Sequence, residues 1–327
     1  MISIVIPIFN ASNYLDRSIE CIEKQTFTDW EVIFVDDGST DSSAEKCLRF
    51  ASIDKRITFV HQQNLGPSEA RNNGLQRAKG EYVCFLDADD WFDSNFLQAY
   101  YDAVVDKSWD VVFQGFVKEK ENGIICEFSF AMSEDTDHTS KEDIICKLYK
   151  NHVYGWAWCK MYKREILEKY CIRYDVSLNL WEDELFTSDF MRHAVMVKTL
   201  DCRHYHYVKY ETSLMHTNNT YLRRLSLSEI MNKALIPIAN EELMSYINST
   251  YNKKLKYSLF MSLMNQPDHL CDVEKKKELL LKYYSRCYEY PSLRWYNVLK
   301  NRFSYFISEA ILMTHNIRFI ISIFARL

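Results

Sequence analysis

Residues 82–91 read YVCFLDADDW, and the fold is legible in how that stretch is built. Tyr82, Val83, Cys84, Phe85 and Leu86 form an apolar run without polar alternation, the pattern of a parallel strand covered on both faces. The run ends in Asp87, Ala88, Asp89 and Asp90, three carboxylates in four positions. Like charges this close repel unless a cation or donor groups offset them. In open α/β sheets ligands bind at the carboxyl ends of the strands, where these acids fall. A divalent cation holding a diphosphate suits the place. An acidic turn capping the next helix, through Asp93 or Ser94, accounts for the same residues without a ligand.

The segments upstream repeat the pattern. Residues 2–8 (ISIVIPI), 31–35 (EVIFV) and 57–61 read as three further strands, the first two as unbroken apolar runs. Leu15, Ile19 and Ile22 stand at helical spacing between the first pair. Thr40, Asp41 or Ser42 can cap a second helix, and Pro67 and Ser68 suit the start of a third that Gly80 stops. Four strand–helix alternations in ninety residues predict parallel βαβ units. Right-handed crossovers then bring residues 7–10, 36–39 and 87–90 to a single rim. A helix near 96–105 and a strand at 110–116 extend the pattern. Further on, 118–123 reads as a charged turn, 133–140 as a polar loop, 141–150 and 163–170 as helices, and 204–210 as a strand. From residue 225 the chain reads as helices, with a division near residue 220 into an N-terminal part, 1–220, and a mainly helical part, 221–327.

Composition narrows the class. Across 327 residues the net charge is −5, and no long Lys/Arg run argues for a nucleic-acid partner. Gly and Pro are scarce, while Tyr (22) and Phe (19) are abundant, which disfavours disorder. The ten cysteines lie scattered in apolar stretches, with no CxxC pair or zinc spacing, so reduced thiols in a cytoplasmic protein are expected. The last predicted helix has an apolar seam including Phe303, Phe306, Ile307, Ala310 and Ile311. Glu309 and Arg318 interrupt it, so packing on the protein or resting on a membrane surface fits better than spanning one.

Three segments, in order, resemble the family 2 glycosyltransferases, inverting GT-A enzymes that build bacterial polysaccharides. They are SIVIPIFNASNYLDRSIECIEKQTFTDWEVIFVDDGSTD (3–41), NLGPSEARNNGLQRAKGEYVCFLDADDW (64–91) and WEDELF (181–186). The fold expected from the resemblance is α/β: a Rossmann-like, mostly parallel sheet flanked by helices. The resemblance implies a nucleotide-sugar donor, usually a UDP-sugar, held at the rim. Pro7 matches the position whose backbone lies beside the nucleotide, and Asp37 the residue that hydrogen-bonds uracil. Asp36 fixes the loop or approaches the nucleotide as well. Arg71 matches a position facing the nucleotide at the start of a helix, with Gly66 and Asn72 beside it; a surface salt bridge is the plainer account.

By the same resemblance Asp87–Ala88–Asp89 is a DxD motif, with Asp89 binding Mn²⁺ or Mg²⁺ and Asp87 serving the ribose or the ion's water shell. Asp90 can substitute for Asp89, and the sequence does not separate them. Asp183 matches the base that deprotonates the acceptor hydroxyl. Glu182 and Trp181 would shape the acceptor pocket. An exposed acidic helix start capped by Asn179 is the alternative for this group. His216 is either a diphosphate or ion contact or a plain loop histidine. Trp156 and Trp158 either stack on an acceptor sugar or pack in the core.

The resulting expectation is a cytoplasmic, metal-dependent, inverting glycosyltransferase at the inner face of the plasma membrane. Its acceptor would be a growing, lipid-linked glycan, with peripheral membrane contact through the last helix. The alternative is a non-catalytic sugar-nucleotide-binding protein that assists a polysaccharide assembly complex. No GxGxxG follows the first strand, against a dinucleotide oxidoreductase. IPIFNAS is not the Gly-rich triphosphate loop of a nucleotidyltransferase.

Overall fold

The computed structural model describes residues 1–129, 139–178, 181–210 and 238–246. The division expected near residue 220, His216, Asn179 and the last apolar helix lie outside the described residues. Nine strands form one sheet among the described residues.

The parallel half is built from β1 (Ile2–Ile8), β2 (Trp30–Asp37), β3 (Ile57–Gln62) and β4 (Tyr82–Phe85), in the order β3-β2-β1-β4. Every residue of β2 and β4 is buried, and only Pro7 of β1 is partly exposed, as unalternated apolar runs require. The crossovers are α1 (Leu15–Glu23), α2 (Ser43–Ile53) and α3 (Pro67–Leu75). Helix α3 lies tight on the sheet because Gly74 has no side chain: a Cβ there would stand 2.3 Å from Val5 Cγ1.

Pro7 tests the parallel assignment, since proline cannot donate to a ladder. Val5 O accepts from Leu86 N–H, so alternate residues of β1 bond toward β4. Beyond Phe85 the β4 chain has left the sheet. A donor at residue 7 would point into that gap, so Pro7 costs the sheet no hydrogen bond.

The far half is mixed rather than parallel. It comprises β5 (Trp91–Phe92), β6 (Val111–Lys120), β7 (Ile125–Ser129), β8 (Lys160–Lys163) and β9 (Val197–Lys209). Strand β8 enters antiparallel between β4 and β6, so β6 runs with β4 without touching it. The expected turn at 118–123 begins later, because β6 continues to Lys120 against β7 and β9. The expected strand at 204–210 starts earlier, at Val197. Its ladder with β6 jumps from Leu200 to Tyr205, and the four residues that bulge out between them hid the period. Helices α4 (Phe96–Val104), α5 (Lys141–Lys150), α6 (Arg164–Lys169) and α7 (Glu182–His193) complete the described elements of this core. Cys21, Cys47, Cys84, Cys146, Cys159, Cys171 and Cys202 are free thiols, and Cys47, Cys84, Cys146 and Cys159 are buried.

Candidate active site

The strand ends of the parallel half share one rim, and side chains stitch its loops together. Asp36 is fully buried at the end of β2; its Oδ2 pairs with His61 Nδ1 at 2.7 Å, and its Oδ1 accepts from Ser39 N–H at 3.3 Å. Asp37 Oδ1 accepts from Gln62 Nε2 and from Leu65 N–H, each at 2.8 Å. Its Oδ2 accepts from Gly66 N–H, also at 2.8 Å. Asp37 therefore shapes the turn that delivers α3 to the rim, and Gly66 caps that helix at φ +93°. Gly38 (φ +74°) is required for the close approach, since a Cβ there would meet Asn64 N at 2.9 Å.

The acidic loop after β4 is anchored by its neighbours. Ser18 Oγ donates to the carbonyls of Ala88 (2.7 Å) and Asp90 (3.0 Å), while Arg17 Nη2 and Tyr210 OH donate to the Asp89 carbonyl. Asp90 is buried and uses both carboxylate oxygens: Tyr205 OH donates to Oδ2 at 2.6 Å and Val208 N–H to Oδ1 at 2.9 Å. Burial and the neighbouring Asp89 and Asp87 charges push it well above the ordinary carboxylate range. The Asp89 carboxylate receives no hydrogen bond from another described residue. Burial, then Asp87, pushes it up to about 6. The structure thus divides two acids the sequence left equivalent: Asp90 ties the loop to β9, and Asp89 is the one left open.

Arg71 joins this loop to the chain's second acidic motif. Its side chain is 7% exposed; Nη2 donates to Asp87 Oδ1 at 3.0 Å and Nη1 to Asp183 Oδ1 at 3.2 Å. This is a buried bridge, not a surface salt bridge. Asp87 and Asp183 remain 29% and 20% exposed, so both reach the crevice. Burial pushes Asp183 up to about 7, while Arg71 pulls it the other way.

Asp183 stands in the first turn of α7 with Glu182 and Glu184, beside the positive end of the helix. Trp181 precedes it at φ +70°, a left-handed conformation rare outside glycine and concentrated at functional sites. Glu184 turns inward: it accepts from Tyr149 OH, and its Oε2 lies 3.2 Å from where a Cβ on Gly155 would stand.

Of three supporting residues, Asn72 was expected only as a neighbour of Arg71, and local patterning gave no sign of Tyr174 or Lys160. Asn72 Nδ2 donates to the Tyr174 carbonyl (2.9 Å) and Asn72 Oδ1 accepts from Tyr174 N–H (2.8 Å). Tyr174 stacks on Phe186 at 4.1 Å, and its ring lies 5.3 Å from the Arg71 guanidinium. Lys160, fully buried on β8, donates to the Trp156 carbonyl and faces the Phe113 ring; burial pulls its ammonium down to about 8. Trp158 is core, stacked on Tyr205 at 4.6 Å, whereas Trp156 is partly exposed and stacks on Trp158 at 5.1 Å.

Among the described residues no three His, Cys, Asp or Glu side chains gather as a preformed cation cage. Asp87 and Asp89 still fit a hard cation of the magnesium type. Such an ion binds through one or two carboxylates and completes its shell with water and substrate phosphates.

Residues 3–171, just over half the chain, match Glycosyl transferase family 2. The chain belongs to that family. This family 2 chain is 33% identical over 190 residues to glycosyltransferase GlyA of Streptococcus pneumoniae, a match covering 56% of this chain and 27% of GlyA. It is 28% identical over 308 residues to the uncharacterized glycosyltransferase EpsJ of Bacillus subtilis, covering 86% of this chain and 84% of EpsJ. The structure of Staphylococcus aureus TarS 1–349 in complex with UDP-GlcNAc superposes with a TM-score of 0.62 at 21% identity, covering 85% of this chain and 78% of TarS 1–349. That likeness confirms for this family 2 member the GT-A architecture expected from the sequence. The family match spans the acidic loop after β4, Arg71 and β8 and ends before Asp183.

Proposed function

We propose that this protein is an inverting, metal-dependent glycosyltransferase that moves a sugar from a nucleotide-sugar, a UDP-sugar in the first instance, to a hydroxyl of a growing cell-surface glycan. The observation that carries the reading is the Arg71 bridge: the acids after β4 and the acid opening α7 meet in one crevice, as donor and acceptor chemistry requires.

The N–H groups opening α3 and the Arg71 guanidinium favour the donor's diphosphate at the rim. Asp89, with Asp87 beside it, would hold Mn²⁺ or Mg²⁺. Bound there, the ion supplies stabilisation of the negative charge that gathers on the departing nucleoside diphosphate. Asp183 takes the proton of the acceptor hydroxyl in the transition state. That oxygen forms its bond to the anomeric carbon as the carbon–phosphate-oxygen bond breaks on the opposite face. One carboxylate thus suffices for displacement with inversion. Asp37, whose carboxylate builds the turn before α3, is the uracil contact in this reading.

Among the described residues no helix is long and apolar enough to cross a membrane. A lipid-linked acceptor at the cytoplasmic membrane face is proposed from the family resemblance and from the basic residues Arg294, Lys300, Arg302 and Arg326 near the C-terminus. Binding to liposomes containing anionic lipid, lost on deleting residues 303–327, is the expected result; no binding removes this part.

The central test is thermal stabilisation by a panel of sugar nucleotides with and without Mn²⁺, followed by assay of nucleoside diphosphate release. One donor should stabilise the protein, and EDTA should reverse the effect. If no sugar nucleotide stabilises it, the donor assignment is wrong.

A further inference from the structure

The Arg71 bridge carries a consequence for the order of events, which rests on the donor reading above. One cation is shared by two carboxylates drawn from opposite sides of the crevice. Asp87 belongs to the loop proposed to meet the donor, and Asp183 is the proposed base. A carboxylate held by a buried guanidinium is a weaker base than the same buried carboxylate without that partner. In the arrangement seen here Arg71 therefore offsets part of the basicity that burial gives Asp183.

Three features show how that hold is released. First, Arg71 Nε is buried with no hydrogen-bond partner, so the observed pose leaves that N–H donor of the guanidinium unused. An unmade hydrogen bond on a buried charged group is costly, and another pose or a bound anion would relieve it. Second, the Tyr174 ring lies 5.3 Å from the guanidinium, and Tyr174 is fixed by the Asn72 pair and the Phe186 stack. A planar cation can shift across an aromatic face without losing that contact. Third, the groups around Asp183 are Arg71, Glu182, Asp87 and Lys160, so Arg71 is the cation among them that also reaches the donor loop.

We propose that Arg71 is a positioning residue that makes Asp183 respond to donor occupancy: without a nucleotide the guanidinium is shared by Asp87 and Asp183, and a diphosphate arriving beside Asp87 draws it off Asp183. The base is then released only when the leaving group is in place.

The experiment uses the full chain labelled with ¹³Cγ-aspartate, with the Asp183 resonance assigned by its absence in Asp183→Asn. Its titration is followed with and without saturating UDP and Mg²⁺, saturation being checked by thermal shift. In the wild type, UDP should raise the Asp183 pKa by about 1 unit or more, the size of one lost opposite charge. In Arg71→Gln it should be raised already and should not respond further. Arg71→Lys, which keeps the charge but not the fork, serves as a folded control and should respond weakly. A wild-type Asp183 that ignores bound UDP, or an equal response in Arg71→Gln, overturns the proposal. UDP that fails to bind the wild type at all overturns the donor reading on which it rests.

Discussion

Asp183 and Arg71 meet at 3.2 Å although 112 residues separate them in the chain. The contact fixes the first turn of α7 against the middle of α3. If Asp183 is the base, Asp183→Asn should lower transfer by about 10²- to 10⁴-fold. UDP binding should be kept. Steady-state transfer to an acceptor, measured beside UDP thermal shift, checks both halves; an Asp183→Asn protein at full activity removes the assignment.

Asp89 and Asp90 are adjacent, yet their substitutions should fail in different ways. Asp90→Ala leaves Tyr205 OH and Val208 N–H without their acceptors in a buried place. The cost is about 1–3 kcal/mol per group, visible as a lower melting temperature with no ligand present. Asp89→Ala should leave the ligand-free melt near the wild type and abolish the Mn²⁺-dependent part of donor stabilisation. Identical behaviour of the two variants would contradict this division of labour.

Stability without ligand should depend on pH in a set direction. Asp89 at about 6 and Asp183 at about 7 both lie above the unfolded carboxyl value of about 3.9. Between those limits the folded protein binds more protons than the unfolded chain, so stability rises as pH falls from about 7 toward 4. Asp41 acts the other way: burial opposes its ionisation, but hydrogen bonds from Ser43 and Ser12 outweigh it and hold it at about 2, so its contribution is lost as pH falls from about 4 to 2. Through Asp89 and Asp183, melting in EDTA should therefore gain as pH falls from about 7 toward 5, and Asp89→Asn should flatten that limb.

Asn72 should matter for folding more than for ligand contact. Its amide satisfies both backbone groups of Tyr174, and Asn72→Ala leaves a buried N–H and C=O unpaired. A loss of about 1–3 kcal/mol for each is expected in denaturant unfolding. The rail beneath Arg71 loosens with it, so UDP binding should weaken as well. Unchanged stability would show that water replaces the amide.

The parallel half of the fold was legible because β1, β2 and β4 are buried on both faces and announce themselves as apolar runs, while β3, an edge strand with Thr58 and His61 exposed, followed from its place in the alternation. Of the far half, β6 and the second part of β9 were legible. Strand β8 is four residues long, β5 is two, and a bulge cuts off the first part of β9, so these offer too few consecutive residues for a period to show. Of the site, the acids and Arg71 were named through the resemblance of three ordered segments to the family, since each acid by itself reads equally as a turn or a helix cap.

What the amino-acid order determined by itself is the chemical inventory and the rim on which most of it stands: unbroken hydrophobic strands force parallel packing, and parallel packing gathers the strand ends. What only the tertiary structure decided is which acids are free. Asp90 is tied to Tyr205 and Val208, Asp37 accepts from Gln62, Leu65 and Gly66 yet keeps acceptor capacity, and Asp87 and Asp183 are joined through one guanidinium. A carboxylate's role depends on the donors that reach it, and those donors come from segments tens to more than a hundred residues away.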